Sequence, residues 1–152
     1  MERIITYKSI DGKMFDTEEE CLKYENEWTE SYKLLQTMKF YNEDSSPVFI
    51  PKLESFLRVG EGNSTREDRE ATDDFFNVTH YVKFTNMDIF DETRAAYEKF
   101  VDRIGYILDI SPIKSVYGVY VYDDDRGYAP IDDKYEAAKR EILMMDKIID
   151  GK

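Results

Sequence analysis

Ile4-Ile5-Thr6-Tyr7-Lys8-Ser9-Ile10-Asp11-Gly12-Lys13-Met14-Phe15-Asp16-Thr17-Glu18-Glu19-Glu20 is the stretch that decides between fold classes. Residues 4–9 are β-branched and aromatic, which suits a strand. Asp11-Gly12 follows. Glycine supplies the positive φ of a tight hairpin turn at low cost, so the pair signals a reversal, with Lys13 to Phe15 returning as a short strand. Asp16 or Thr17 can then cap a helix, and Thr17 with Glu20 spells a capping box. Glu18, Glu19 and Glu20 suit the positive end of the helix dipole. A hairpin over 3–15 feeding a helix over 17–39 is the start of an α+β chain, not of a wound parallel sheet.

The helix over 17–39 has an apolar stripe of Cys21, Tyr24, Trp28, Tyr32, Leu35 and Met38, spaced by three and four. Val48-Phe49-Ile50 reads as a short strand stopped by Pro51, and Leu53, Phe56 and Leu57 as a short amphipathic turn. Residues 60–76 are the most polar stretch and read as an exposed excursion, with Thr65 able to cap a short helix. The second half, 78–150, holds a strand over 78–85, a helix capped by Asp91 and ending near Leu108, and a strand over 116–122. The turn Asp123 to Gly127 leads to a brief return at Tyr128-Ala129. Asp132 or Asp133 caps a last helix, with Tyr135, Ala138, Ile142, Met145 and Ile149 on its stripe. The expectation is one α+β domain over 1–152, with small antiparallel sheets built from hairpins and packed on three main amphipathic helices.

Composition narrows function. Among 152 residues, 33 acids against 21 Lys+Arg give a net charge of −12. Such a chain is repelled by nucleic-acid phosphates unless its bases cluster, so no direct nucleic-acid partner is expected. It has no apolar run of membrane-spanning length and no secretory leader, so neither a membrane partner nor export is expected. The one cysteine, Cys21, suits a reducing cytosol. His80 is the one histidine, which leaves no metal-ligand set, and no cofactor is expected. Gly60-Glu61-Gly62-Asn63-Ser64-Thr65 lacks the third glycine and the preceding buried strand of a dinucleotide fingerprint. Counted from Asp123, the sixth residue is Tyr128 and the twelfth Lys134, where a calcium loop needs Gly and Glu. No catalytic residue stands out, and no enzyme activity is expected.

The run Tyr7 to Glu25 resembles the opening of small phage- and prophage-encoded proteins. Gly118 to Asp125 followed by Ile131-Asp132-Asp133-Lys134-Tyr135-Glu136 is similar to their closing segment. Proteins of this look include anti-CRISPR inhibitors and sponges that sequester a cyclic-nucleotide immune signal. The resemblance implies a host bacterial defence protein, such as a CRISPR effector, as partner. It also implies action in the cytoplasm of an infected or lysogenic host.

A nuclease effector holds its guide and target in a positively charged channel, and an acidic surface can compete for it. The carboxylates expected to do so are Asp123, Asp124, Asp125, Asp132 and Asp133, with Glu67, Asp68, Glu70, Asp73 and Asp74 in the polar segment. Tyr117, Tyr120 and Tyr122 form a candidate aromatic surface. Trp28 and Tyr32 are candidate contacts of a homodimer, since Trp and Tyr favour interfaces. Two alternatives stand beside inhibition: a nucleotide sponge using Arg66, Arg69, Arg94 and Arg103, and a phage accessory protein without a defence role.

Overall fold

The computed structural model describes residues 5–105, 108–125 and 127–150, the last six as helix backbone. Strand β1 (Tyr7–Lys8) pairs antiparallel with β2 (Met14–Phe15). Helix α1 (Glu18–Leu35) follows, with Thr17 accepting the Glu20 amide as its cap. Then come β3 (Met38–Tyr41), α2 (Leu53–Glu61), α3 (Arg66–Val78), β4 (Tyr81–Phe84), α4 (Phe90–Ile104), β5 (Val119–Asp123), β6 (Gly127–Pro130) and α5 (Glu136–Asp150). The fold is α+β. The main sheet is antiparallel in the order β3-β4-β5-β6.

The sheet is covered on both faces. Met38, Phe40, Val82, Phe84, Tyr120 and Tyr128 face a core built with Trp28, Leu35, Phe56, Phe75, Phe90 and Phe100 from α1 to α4. Tyr41, Tyr81, Val119 and Val121 point the other way, onto Ile131 and Ile142. This division follows the period-two alternation of a strand. The first core is unusually aromatic. Phe40 and Phe75 meet edge to face with ring centres 4.8 Å apart, as do Phe75 and Phe76 at 4.9 Å, the geometry their quadrupoles favour.

Several boundaries differ from expectation. The first helix stops at Leu35 instead of running to 39, because Met38 to Tyr41 are taken into the sheet against β4. Val48 to Ile50 form no strand. The Val48 amide donates to the Phe40 carbonyl (2.8 Å) and Phe49 is left exposed. The polar stretch is no excursion: Thr65 and Asp68 close a capping box, and Thr72, Phe75 and Phe76 bury one face of α3. α4 ends at Ile104, short of Leu108, because Gly105 takes the left-handed conformation (φ 83°) that terminates helices. Ile4 lies outside the described residues, as do the side chains of Met145 and Ile149. Among the described residues no helix is long and apolar enough to cross a membrane.

The N-terminal hairpin is anchored through its turn. Ser9 and Lys13 close the loop, with the Ser9 amide on the Lys13 carbonyl at 2.9 Å, and Gly12 sits at φ 92°. This turns the Asp11 side chain inward, where Ser9 and Tyr24 donate hydroxyl hydrogen bonds to it. Burial pushes the Asp11 carboxyl up, but these bonds, the Lys13 amide and the Arg103 charge outweigh it and hold it below the usual carboxylate range.

Candidate functional site

The strand register brings distant segments to one end of the main sheet. Tyr41 pairs with Tyr81, Tyr81 with Val121, and Val121 with Ala129. One step further along each strand lie Asn42, His80, Tyr122 and Tyr128. These four residues border a cleft of about 740 Å³. The C-terminal turn of α3 contributes Phe76, Asn77 and Val78, and Thr79 and Leu108 complete the wall, with Glu43 and Asp44 at the rim.

The cleft is held by backbone bonds. The His80 amide donates to the Tyr41 carbonyl (2.8 Å), and the His80 carbonyl accepts from the Tyr122 amide (2.9 Å). Tyr128 is buried and donates its hydroxyl to the Thr79 carbonyl at 3.0 Å. Burial pushes the Tyr128 phenol well above its usual range, so it stays protonated. The Tyr122 ring stands half-buried against the Tyr128 ring, 5.6 Å between centres.

Two acidic turns flank this end. In the first, Asn42 Oδ1 accepts the amides of Asp44 (3.0 Å) and Ser46 (3.1 Å), and Asp44 Oδ1 accepts the Ser46 amide (3.0 Å). Hydrogen bonds from Ser46 hold the exposed Asp44 carboxyl below its usual range. In the second, Asp123 Oδ1 accepts the Asp125 amide at 2.8 Å, and Asp124 and Asp125 are exposed. Gly127 packs so closely on the Asp109 backbone that a Cβ there would meet the Asp109 carbonyl oxygen at 2.6 Å. Asp73 and Asp74 lie one turn before Asn77 on α3. No Lys or Arg lines the cleft among the described residues; Arg126 lies outside them.

The expected site residues therefore separate. Asp123, Asp124, Asp125, Asp73 and Asp74 belong to the cleft end. Asp132 and Asp133 follow β6 at the opposite end, where Asp132 accepts the Lys134 amide and Asp133 lies 3.7 Å from Lys139. Glu67 and Glu70 are exposed on the N-terminal part of α3, Glu70 paired with Arg66 at 2.8 Å. Asp68 is a correction. It is 5% exposed and holds Arg58 through two bonds of 2.7 and 2.9 Å while accepting from Ser55, so it ties α2 to α3 and offers nothing to a partner.

The aromatic surface is also corrected. Tyr120 is fully buried. Its hydroxyl donates to the Ile113 carbonyl (2.7 Å) and accepts the Ser115 amide (3.0 Å), which pins the loop before β5. Gly118, at φ 69°, breaks the alternation, so Tyr117 lies outside the strand beneath Lys139 (Nζ 4.5 Å from the ring centre). Tyr122 alone of the three lines the cleft. Trp28 and Tyr32 are used within the chain. Trp28 is buried against Phe100 at 5.2 Å, with Lys99 Nζ 4.3 Å from its ring centre, and Tyr32 donates to the Pro51 carbonyl at 2.7 Å.

The four arginines weighed for phosphate binding are held singly. Arg66 pairs with Glu70, Arg69 donates to the Ser64 carbonyl (2.9 Å), Arg94 lies 3.9 Å from Glu98, and the half-buried Arg103 pairs with Asp11 and Glu61. Among the described residues no group of three or more His, Cys, Asp or Glu side chains is arranged to hold a metal ion.

Sequence reasoning missed Asn42, Glu43, Asp44 and Leu108 as site residues and read His80 as an ordinary strand residue. The signal that could have found the first three was the Asn-x-Asp-x-Ser spacing of a self-bonded turn. No family model, curated protein or solved structure matches this chain.

Proposed function

We propose that this protein is a non-enzymatic binding protein that presents the acidic end of its main sheet to a basic surface of a partner. The observation that carries this reading is the convergence of two acidic turns, at Glu43-Asp44 and Asp123 to Asp125, around one cleft. Each turn is braced by its own Asx-type hydrogen bonds, so the carboxylates are presented with little ordering left to do on binding. In a chain of net charge −12 such a surface steers basic partners and raises their on-rate. The resemblance of the terminal segments to phage-encoded inhibitors supplies the partner class: a bacterial defence effector whose nucleic-acid channel is lined with Arg and Lys. The separated, already partnered arginines favour this over sequestration of a phosphate ligand.

The test is competition for a guide-loaded CRISPR nuclease. The protein should block target-DNA binding at low salt and lose potency toward 1 M salt, where the Debye length falls to about 3 Å. A D123N/D124N/D125N variant should associate about tenfold more slowly with unchanged stability. Binding indifferent both to salt and to this variant would overturn the reading.

A further inference from the structure

We infer that the cleft is a receptor for an arginine side chain carried on a basic segment of the partner, an inference that rests on the function proposed above. Two features point to this chemistry. The rim supplies two carboxylates, Glu43 and Asp44, and the lining holds no Lys or Arg among the described residues, so the field favours a cation. Part of the wall is apolar and aromatic, beside the polar Asn42, Asn77, Thr79 and His80: Phe76, Val78 and Leu108 can cover an aliphatic stem, and the half-buried Tyr122 ring offers a face to a planar cation.

An acidic rim over a partly apolar, aromatic wall selects for a donor-rich, weakly hydrated head group. Guanidinium offers five N–H donors in a plane and stacks on aromatic rings, whereas ammonium is compact and strongly hydrated. At about 740 Å³ the cleft exceeds one side chain, which leaves room for the backbone on either side of the arginine. The occupant is thus an arginine within an extended peptide.

The experiment uses the full chain and three acetylated, amidated glycine-flanked peptides carrying a single arginine, citrulline or lysine, titrated by NMR and calorimetry. The arginine peptide should bind at least tenfold more tightly than the citrulline peptide, which keeps the shape but lacks the charge, and more tightly than the lysine peptide. It should shift the His80 ring and Leu108 methyl signals. E43Q/D44N and Y122A should each weaken it about tenfold. Equal binding of the arginine and citrulline peptides, or shifts confined to residues away from the cleft, would overturn the inference. If the nuclease is inhibited and D123N/D124N/D125N relieves inhibition while E43Q/D44N does not, the cleft inference fails and the proposed function stands. If the arginine peptide binds but no effector does, the cleft stands and the defence partner fails.

Discussion

Asp11 and Arg103, 92 positions apart, form a 2.6 Å ion pair in which the Asp11 side chain is wholly removed from solvent. The same Arg103 Nη2 donates to the Leu57 carbonyl (3.1 Å) and to Glu61 (3.0 Å), and the guanidinium carbon lies 5.2 Å from the Trp28 ring centre. One side chain of α4 therefore joins the N-terminal hairpin, α1 and α2. Hairpin attachment depends on this pair more than on the two short strands, since an isolated two-stranded hairpin is marginal in water.

Arg103→Leu should accordingly destabilise the fold by about 3–5 kcal/mol, the cost of stranding a buried carboxylate. Urea denaturation of the wild type, Arg103→Leu, Asp11→Asn and the double variant gives the coupling directly. Strictly additive losses would mean that the pair does not couple the hairpin to α4.

Acid should unfold the protein through Asp68 and Asp11. Asp68 is held far below the usual range, chiefly by Arg58, with further bonds from Thr65 and Ser55. In the unfolded chain both carboxyls titrate near pH 4, so the unfolded state takes up protons first as pH falls. Their stabilisation is present above that pH and is lost as pH drops through the lowered folded values. The melting temperature should be flat between about pH 6 and 8 and fall steeply below about pH 4. Asp68→Asn should lower it at neutral pH, by about 3 kcal/mol of stability, and flatten the acid limb. An unchanged acid limb in that variant would refute the assignment.

Gly118→Ala should be costly. At φ +69° the added Cβ would meet the Phe84 carbonyl oxygen at 2.6 Å, on the backbone that joins β4 to the loop before β5. A loss of about 2–3 kcal/mol is expected from strain and displacement together. Gly62→Ala shares the left-handed backbone (φ +77°) but has open space around it, and should lose only about 1 kcal/mol. Thermal melts of the two variants side by side separate the steric part from the conformational part.

Trp28→Ala should cost about 3–5 kcal/mol through the void left against Phe100. Its hydrodynamic mass should match that of the wild type, because the indole is enclosed by α4 of the same chain. Light scattering that showed a smaller assembly in the variant would return Trp28 to an interface.

The sequence by itself determined the elements that depend on near neighbours. Asp11-Gly12 made the hairpin, Thr17 and Thr65 capped α1 and α3, and alternation marked β5, because turns, caps and periodicities are settled within a few residues. It also determined the acidity that colours any reading of function. Only the tertiary structure decided which polar and aromatic residues remain available. Asp68 and Glu67 are adjacent in one acidic run, yet one is locked to Arg58 and the other is in solvent, since a helix turns successive residues about 100° apart. Tyr120 and Tyr122 share a strand face, yet one lies under α4 and the other beyond it at the cleft. The cleft exists because antiparallel pairing carries Asn42, His80, Tyr122 and Tyr128 to the same end of the sheet, and that register is a contest among long-range contacts which no local pattern encodes.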